Sequence, residues 1–184
     1  MKQTEAVKTK DEINTVSLLL EKYGGELYRD IWKVGINVSL RISDLLGIRY
    51  SDLDLEKRRF RLREMKTGKN KEIRLNGTVI KIIQKRRKQF PDDEYLFQVH
   101  SNRATGKPVS RQMVARKFKE VGETLNIALS THSMRKTRGF AMFNDGKPIE
   151  MISKVLNHSS PSVTMSYLGI TKDEVLATYD EYEL

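Results

Sequence analysis

His132-Ser133-Met134-Arg135 places an imidazole and a guanidinium three residues apart. On a helix, positions i and i+3 share a face, so both groups can reach one anionic ligand. A second histidine, His158, precedes Tyr167 by nine residues across Ser159-Ser160-Pro161, a turn followed by a short helical stretch. Upstream, Arg41 stands at the start of an apolar helical segment, Leu40-Arg41-Ile42-Ser43-Asp44-Leu45-Leu46, and Lys66-Thr67-Gly68 falls at a hairpin turn. Taken singly, each feature has an ordinary explanation. An isolated HxxR is usually a capping histidine beside a surface arginine, and one tyrosine among seven is usually packing. Together they supply fixed cationic donors, two imidazoles and a phenol, a set suited to holding an anionic ligand.

Other chemistries are poorly served. No GxxxxGK[ST] loop is present, since Thr105-Gly106-Lys107 lacks both the spacing and the following hydroxyl. No HExxH occurs, and a three-histidine metal site would need His100, His132 and His158 together. The acidic residues form no evident carboxylate set, so neither metal nor cofactor is expected. The chain has no cysteine, which excludes disulfides, thiolate zinc sites and cysteine nucleophiles.

The 184 residues carry 34 Lys plus Arg against 24 Asp plus Glu, a net charge of +10, which makes a polyanion the first partner to consider. The charge is concentrated. Residues 57–91 hold fourteen basic side chains against Glu64 and Glu72 alone, whereas the last fourteen residues carry a net charge of −4. No run of apolar residues is long enough for a membrane span, and no secretory signal opens the chain, so a cytoplasmic protein is expected.

Periodicity predicts the elements that must position these groups. Helices are expected from about Asp11 to Gly24, Glu26 to Val38, Arg41 to Leu46, Thr78 to Gln89, Ser110 to Leu125, Thr131 to Phe143, Pro148 to Leu156 and Pro161 to Tyr167. Ser110 and Thr131 read as N-caps, and Thr171-Lys172-Asp173-Glu174 reads as a capping box opening a last helix. Arg59–Arg63 and Glu72–Leu75 alternate basic and apolar residues as half-buried strands joined at Thr67–Asn70. Tyr95-Leu96-Phe97 is the third strand candidate, and Asp52-Leu53-Asp54 reads as a turn. The expected class is α+β, mostly helical, with one small three-stranded antiparallel sheet.

The order Arg…Lys…HxxR…His…Tyr resembles the tyrosine recombinase (phage integrase) family, over nearly the whole chain. The resemblance implies an integrase-like catalytic domain at residues 1–184, with a core at 11–170 and an acidic tail helix at 171–184. It also implies that the family's N-terminal core-binding domain is absent. By motif, Arg41 matches the first family arginine, Lys66 the hairpin lysine with Lys69 as runner-up, His132 and Arg135 the HxxR pair, His158 the later histidine and Tyr167 the nucleophile. Ser39 and Asn157 stand where the family usually has glycine, and Asp44 where glutamate is typical. Tyr179 and Tyr182 lack the histidine spacing, and His100 belongs to no motif.

The implied activity is metal-free, site-specific DNA strand exchange through a 3′-phosphotyrosyl intermediate, as in type IB topoisomerases. Double-stranded DNA is the implied partner, contacted by the basic run, with other protomers of a tetrameric synapse engaged through the C-terminal tail. Cationic neighbours are expected to favour the Tyr167 phenolate, and His132 to accept its proton. Lys66 would protonate the departing 5′-oxygen, and His158 would hydrogen-bond the phosphate. Two rivals share the fold: a DNA-binding regulator without turnover, and a topoisomerase-like enzyme that only relaxes DNA.

Overall fold

A computed structural model of the chain describes residues 4–100, 106–170 and 172–181. The chain enters through α1 (Lys10–Gly24), opened by a capping box in which Glu12 N donates to Thr9 Oγ1 and Thr9 N to the Glu12 carboxylate. α2 (Glu26–Val38) follows, then the short α3 (Ile42–Leu46). Their apolar faces meet α5 (Arg111–Leu125), capped by Ser110 as predicted, around Trp32, Val16, Leu20, Ile31, Leu45, Val114 and Phe118, all fully buried. Trp32 meets Phe118 edge-on at 5.9 Å and donates its indole N–H to the Ile13 carbonyl, which satisfies the one polar atom of the ring.

The sheet is antiparallel, in the order β1 (Leu53–Asp54), β2 (Arg59–Arg63), β3 (Asn70–Arg74). Its third strand is Leu53–Asp54 and not Tyr95–Phe97. Tyr95 makes only an isolated bridge to Arg49, because Leu96 and Phe97 bury as single anchors that bond Ile48 and Val109. A two-residue strand carries no period, which is why Leu53–Asp54 reads as a turn. Phe60 opposes Ile73, and both face the core, so Arg59, Arg61, Glu72 and Arg74 project outward. The same parity sends Glu64 and Lys71 inward, beneath the outer face.

α4 (Gly77–Gln89) packs on α2. The basic run is therefore not a single surface. Arg86 is buried, donating to the Leu96 carbonyl at 2.8 Å and lying 3.6 Å from the Asp30 carboxylate, while Arg87 stacks on Tyr50 at 3.6 Å. α6 (Ser133–Asn144), α7 (Ile149–Leu156) and α8 (Pro161–Leu168) complete the fold, followed by α9 (Lys172–Glu181). His132, not Thr131, is the N-cap of α6. The Ser133 hydroxyl accepts from Ser130 N and the Ser130 hydroxyl from His132 N, which closes the turn without a threonine cap. The expected cap at Thr171 lies outside the described residues, as does Tyr182.

Candidate active site

Two left-handed turns shape the site. Ser39 (φ 53°) ends α2 and Asn157 (φ 54°) ends α7, so both positions where glycine is usual do need a positive φ. Each turn exposes helix C-terminal carbonyls, which carry partial negative charge. Arg135, 3% exposed, clasps both: Nη1 donates to the Ser39 carbonyl at 2.5 Å and Nη2 to that of Leu156. Gly35 makes this reach possible. A Cβ there would lie 2.0 Å from Met134 Sδ, so a larger residue would force the buried Met134 side chain to move.

Arg41 occupies the N-cap of α3 and pairs with Glu64, Nη1 to Oε2 at 2.7 Å. Asp44, buried on α3, accepts from Met65 N at 2.9 Å and fixes the base of the hairpin to the same helix. This leaves Lys66 at the turn. Lys66, Arg41, His132 and Arg111 line one cleft of about 380 Å³. Lys69 is exposed and is not among the cleft residues, so the geometry favours Lys66. Arg111 was not expected; its place in the first turn of α5, just after the Ser110 cap, is the only sequence clue to it.

His158 follows the Asn157 turn. Its Nδ1 lies 3.0 Å from the Thr164 hydroxyl, leaving Nε2 as the ring nitrogen that can meet a ligand. Its ring meets that of Tyr167 edge-on, with centroids 4.9 Å apart. The Tyr167 hydroxyl donates to the His132 carbonyl at 3.3 Å, and Lys136 Nζ lies 5.3 Å from the Tyr167 ring centre. All six expected residues thus converge on one side of the fold. Tyr179 is 78% exposed on α9, away from this arrangement. His100 instead stacks on Phe90 and bonds Asp93, in a packing role.

Electrostatics assign each group a state. Burial, followed by Arg135, Arg41 and Lys71, pulls the His158 imidazole down to about 4. Partial desolvation, then Arg135 and Lys66, lowers His132 as well. Both rings are therefore neutral near pH 7 and able to accept a proton or hydrogen bond. The Tyr167 phenol is raised, because burial outweighs the opposing pull of Arg135 and Arg41. The expected phenolate is thus not favoured before DNA arrives, and a base must take the proton as attack proceeds. Lys71, which sequence reading passed over, is buried among these cations and falls to about 8, mainly through desolvation and then Arg135. Its ammonium donates to the Val155 carbonyl at 2.8 Å and approaches that of Ser39 at 3.4 Å.

Comparison with known proteins identifies the family. The profile of the phage integrase family matches residues 9–174. The probable integrase/recombinase YoeC of Bacillus subtilis is 36% identical over 146 residues, which cover 79% of this chain and 78% of YoeC. Tyrosine recombinase XerA of Pyrococcus furiosus is 28% identical over 93% of this chain, which spans only 55% of that protein. The Tn1549 transposon integrase, solved in complex with circular intermediate DNA, superposes with a TM-score of 0.73 at 19% identity, covering 98% of this chain and 68% of that one. At that identity the superposition shows the fold. With the profile covering most of the chain, the protein belongs to the phage integrase family and is a tyrosine recombinase catalytic domain.

Proposed function

We propose that this chain cleaves and rejoins double-stranded DNA with Tyr167 as the nucleophile. The observation that carries the reading is a chain of contacts: Arg41, Lys66 and His132 line one cleft, the Tyr167 hydroxyl bonds the His132 carbonyl, the His158 ring meets that of Tyr167, and Arg135 clasps the Ser39 and Leu156 carbonyls beside Arg41 and His158. Arg41, Arg135 and the Nε2 of His158 bind the non-bridging oxygens of the scissile phosphate and stabilise the charge that grows there. Tyr167 Oη attacks phosphorus, His132 accepts the phenol proton, the bond from phosphorus to the 5′-oxygen breaks, and Lys66 gives that oxygen a proton. The products are a 3′-phosphotyrosyl bond and a free 5′-hydroxyl. The bond energy is retained, so a 5′-hydroxyl from another strand reverses the step without ATP.

The exposed arginines of the sheet, Arg59, Arg61 and Arg63, position the duplex through its phosphates. The chain acts as the catalytic unit of its clamp, and the acidic α9 docks on a neighbouring protomer of the synapse. Cross-linking of α9 between protomers only in the DNA complex supports that docking, and cross-links confined to one protomer overturn it.

The activity is tested by covalent capture on nicked duplexes from a randomised pool, in EDTA, with wild type and Tyr167→Phe side by side. A denaturation-resistant adduct formed by wild type and abolished in Tyr167→Phe is the expected result. An adduct that survives Tyr167→Phe moves the nucleophile to Tyr179 or Tyr182. Binding without any adduct favours the regulator.

A further inference from the structure

The carboxylate of Glu64 is fully buried, yet it touches three separate parts of the site. Its Oε2 accepts from Arg41 Nη1 at 2.7 Å, from the Thr67 hydroxyl at 2.8 Å and from Asn157 Nδ2 at 2.9 Å. These donors belong to the first arginine segment, the lysine hairpin and the turn that carries His158. Thr67 is local, three residues from Glu64, whereas Arg41 and Asn157 lie 23 and 93 residues away. The backbone of Glu64 closes the hairpin as well: Gly68 N donates to its carbonyl at 2.8 Å, and its own N–H donates to the Lys69 carbonyl at 3.0 Å.

We propose that Glu64 is a positioning residue that sets the orientation of Arg41, the Lys66 hairpin and the His158 turn relative to one another, so that the three meet one phosphate together. This deepens the strand-cleavage reading and rests on it. Chemistry explains the choice of a carboxylate. An ionised carboxylate is an acceptor-only group that can take several donors at once, and bonds to a charged acceptor are short and strong. By occupying Nη1 of Arg41, Glu64 leaves the guanidinium's remaining N–H groups for a ligand and fixes the plane in which they lie. Glu64 is buried and its Oε2 is engaged by all three donors, while Oε1 is buried with no hydrogen-bond partner among the described residues, so the carboxylate does not open onto the cleft. A carboxylate that served packing alone has a cheaper replacement, because an apolar side chain of similar volume avoids the desolvation cost.

The test compares wild type, Glu64→Gln and Glu64→Ala in the full chain, by two independent measurements. The first is single-turnover adduct formation on the captured nicked duplex. With Glu64→Gln we expect DNA affinity within about threefold of wild type, because one anion has left a cationic site. The cleavage rate of the folded fraction should fall on the order of 100-fold, as misplaced phosphate ligands do. Glu64→Ala should fall further. A merely structural role lowers the amplitude of adduct formation and leaves its rate unchanged, which overturns the proposal.

The second measurement is hydrogen exchange without DNA, and it stands even if no adduct forms with wild type. Glu64→Gln should speed exchange at both the Thr67–Lys69 turn and the Asn157–His158 turn by about tenfold, with α2 and α5 unchanged. Acceleration in the hairpin alone, or equally throughout the chain, overturns the linking role. Loss of the adduct in wild type, with both turns loosened in the variant, counts against strand cleavage and leaves the joint standing.

Discussion

Around α1, α2 and α5 the interior is a continuous apolar cluster in which Trp32, Phe118, Leu20 and Ile31 are sealed from water. The unit formed by α7 and α8 is assembled differently. Ile152 and Leu156 are equally buried, but they pack on α6 beside Gly139, outside that cluster. The C-terminal turn of α7 is tied to the body by polar bonds: Lys71 to Val155, Arg135 to Leu156 and Asn157 to Glu64. The body is thus held by burial, and the unit carrying His158 and Tyr167 is held by burial against α6 together with polar ties from Lys71, Arg135 and Glu64. The contrast teaches that nucleophile placement and phosphate binding share one set of bonds, so neither can be altered alone.

The largest expected effect tests the body. Phe118→Ala opens a cavity in the apolar cluster and should cost about 3–5 kcal/mol in urea unfolding. Cleavage by the protein that remains folded in the cold should be close to wild type. A strong rate defect there would mean that the core tunes the site directly.

Arg135→Ala should cost less, about 2–4 kcal/mol, by leaving the Ser39 and Leu156 carbonyls without their donor. Cleavage should be undetectable, and amide exchange should rise in α7 and α8 well before α2 or α5. Uniform loosening would break the distinction between the two regions.

The third effect is a response to pH. His158 is ordinarily half-protonated near 6.5 when unfolded but only at about 4 when folded, because burial and Arg135, Arg41 and Lys71 oppose its charge while Glu64 favours it. Between those values the unfolded chain binds more protons, so this contribution is present above pH 6.5 and is lost as pH falls toward 4. His132 shifts in the same direction. Exchange in α7 and α8, corrected for intrinsic rates, should therefore rise across that interval while α2 holds. Equal loss in both regions contradicts the expectation.

The smallest effect is a gain. Ser39 adopts a positive φ, and its buried hydroxyl has no hydrogen-bond partner. Ser39→Gly should stabilise the fold by about 1 kcal/mol, raising Tm by roughly 2–4 °C. No gain would show that the hydroxyl has a partner in solution.

Much of this was legible in the sequence. The boundaries of α2 follow from Glu26 and Val38 as predicted, and Arg41, Lys66, His132, Arg135, His158 and Tyr167 could be placed by motif order before their surroundings were known. The serine and asparagine in place of glycine stand out as departures from the family pattern, and the positive φ at both shows that the turns are kept without glycine. Less was visible where tertiary partners decide the outcome. Leu53–Asp54 becomes a strand only because Arg59 and Phe60 come back to pair with it. Lys71 and Glu64 disappear into the charge count of a basic run, although a signal existed. In the alternation Phe60, Leu62, Glu64 and again in Lys71, Ile73, Leu75, both charges fall on the inward face. An inward charge must find partners, and Glu64 is one of only two acids among the fourteen bases of the run.

The hairpin closure has a thermodynamic consequence for substrate engagement. Because the turn is bonded to itself on both sides of Gly68, Lys66 can reach a phosphate through its own torsions, with the loop backbone already in place. Immobilising a lysine side chain costs about 1.5–2 kcal/mol, whereas freezing a loose three-residue loop would add about 1–2 kcal/mol for every residue. Most of that entropy loss is incurred during folding, before any substrate arrives. DNA association therefore meets a smaller entropic barrier, and its temperature dependence should be governed by side-chain ordering and counterion release more than by loop closure.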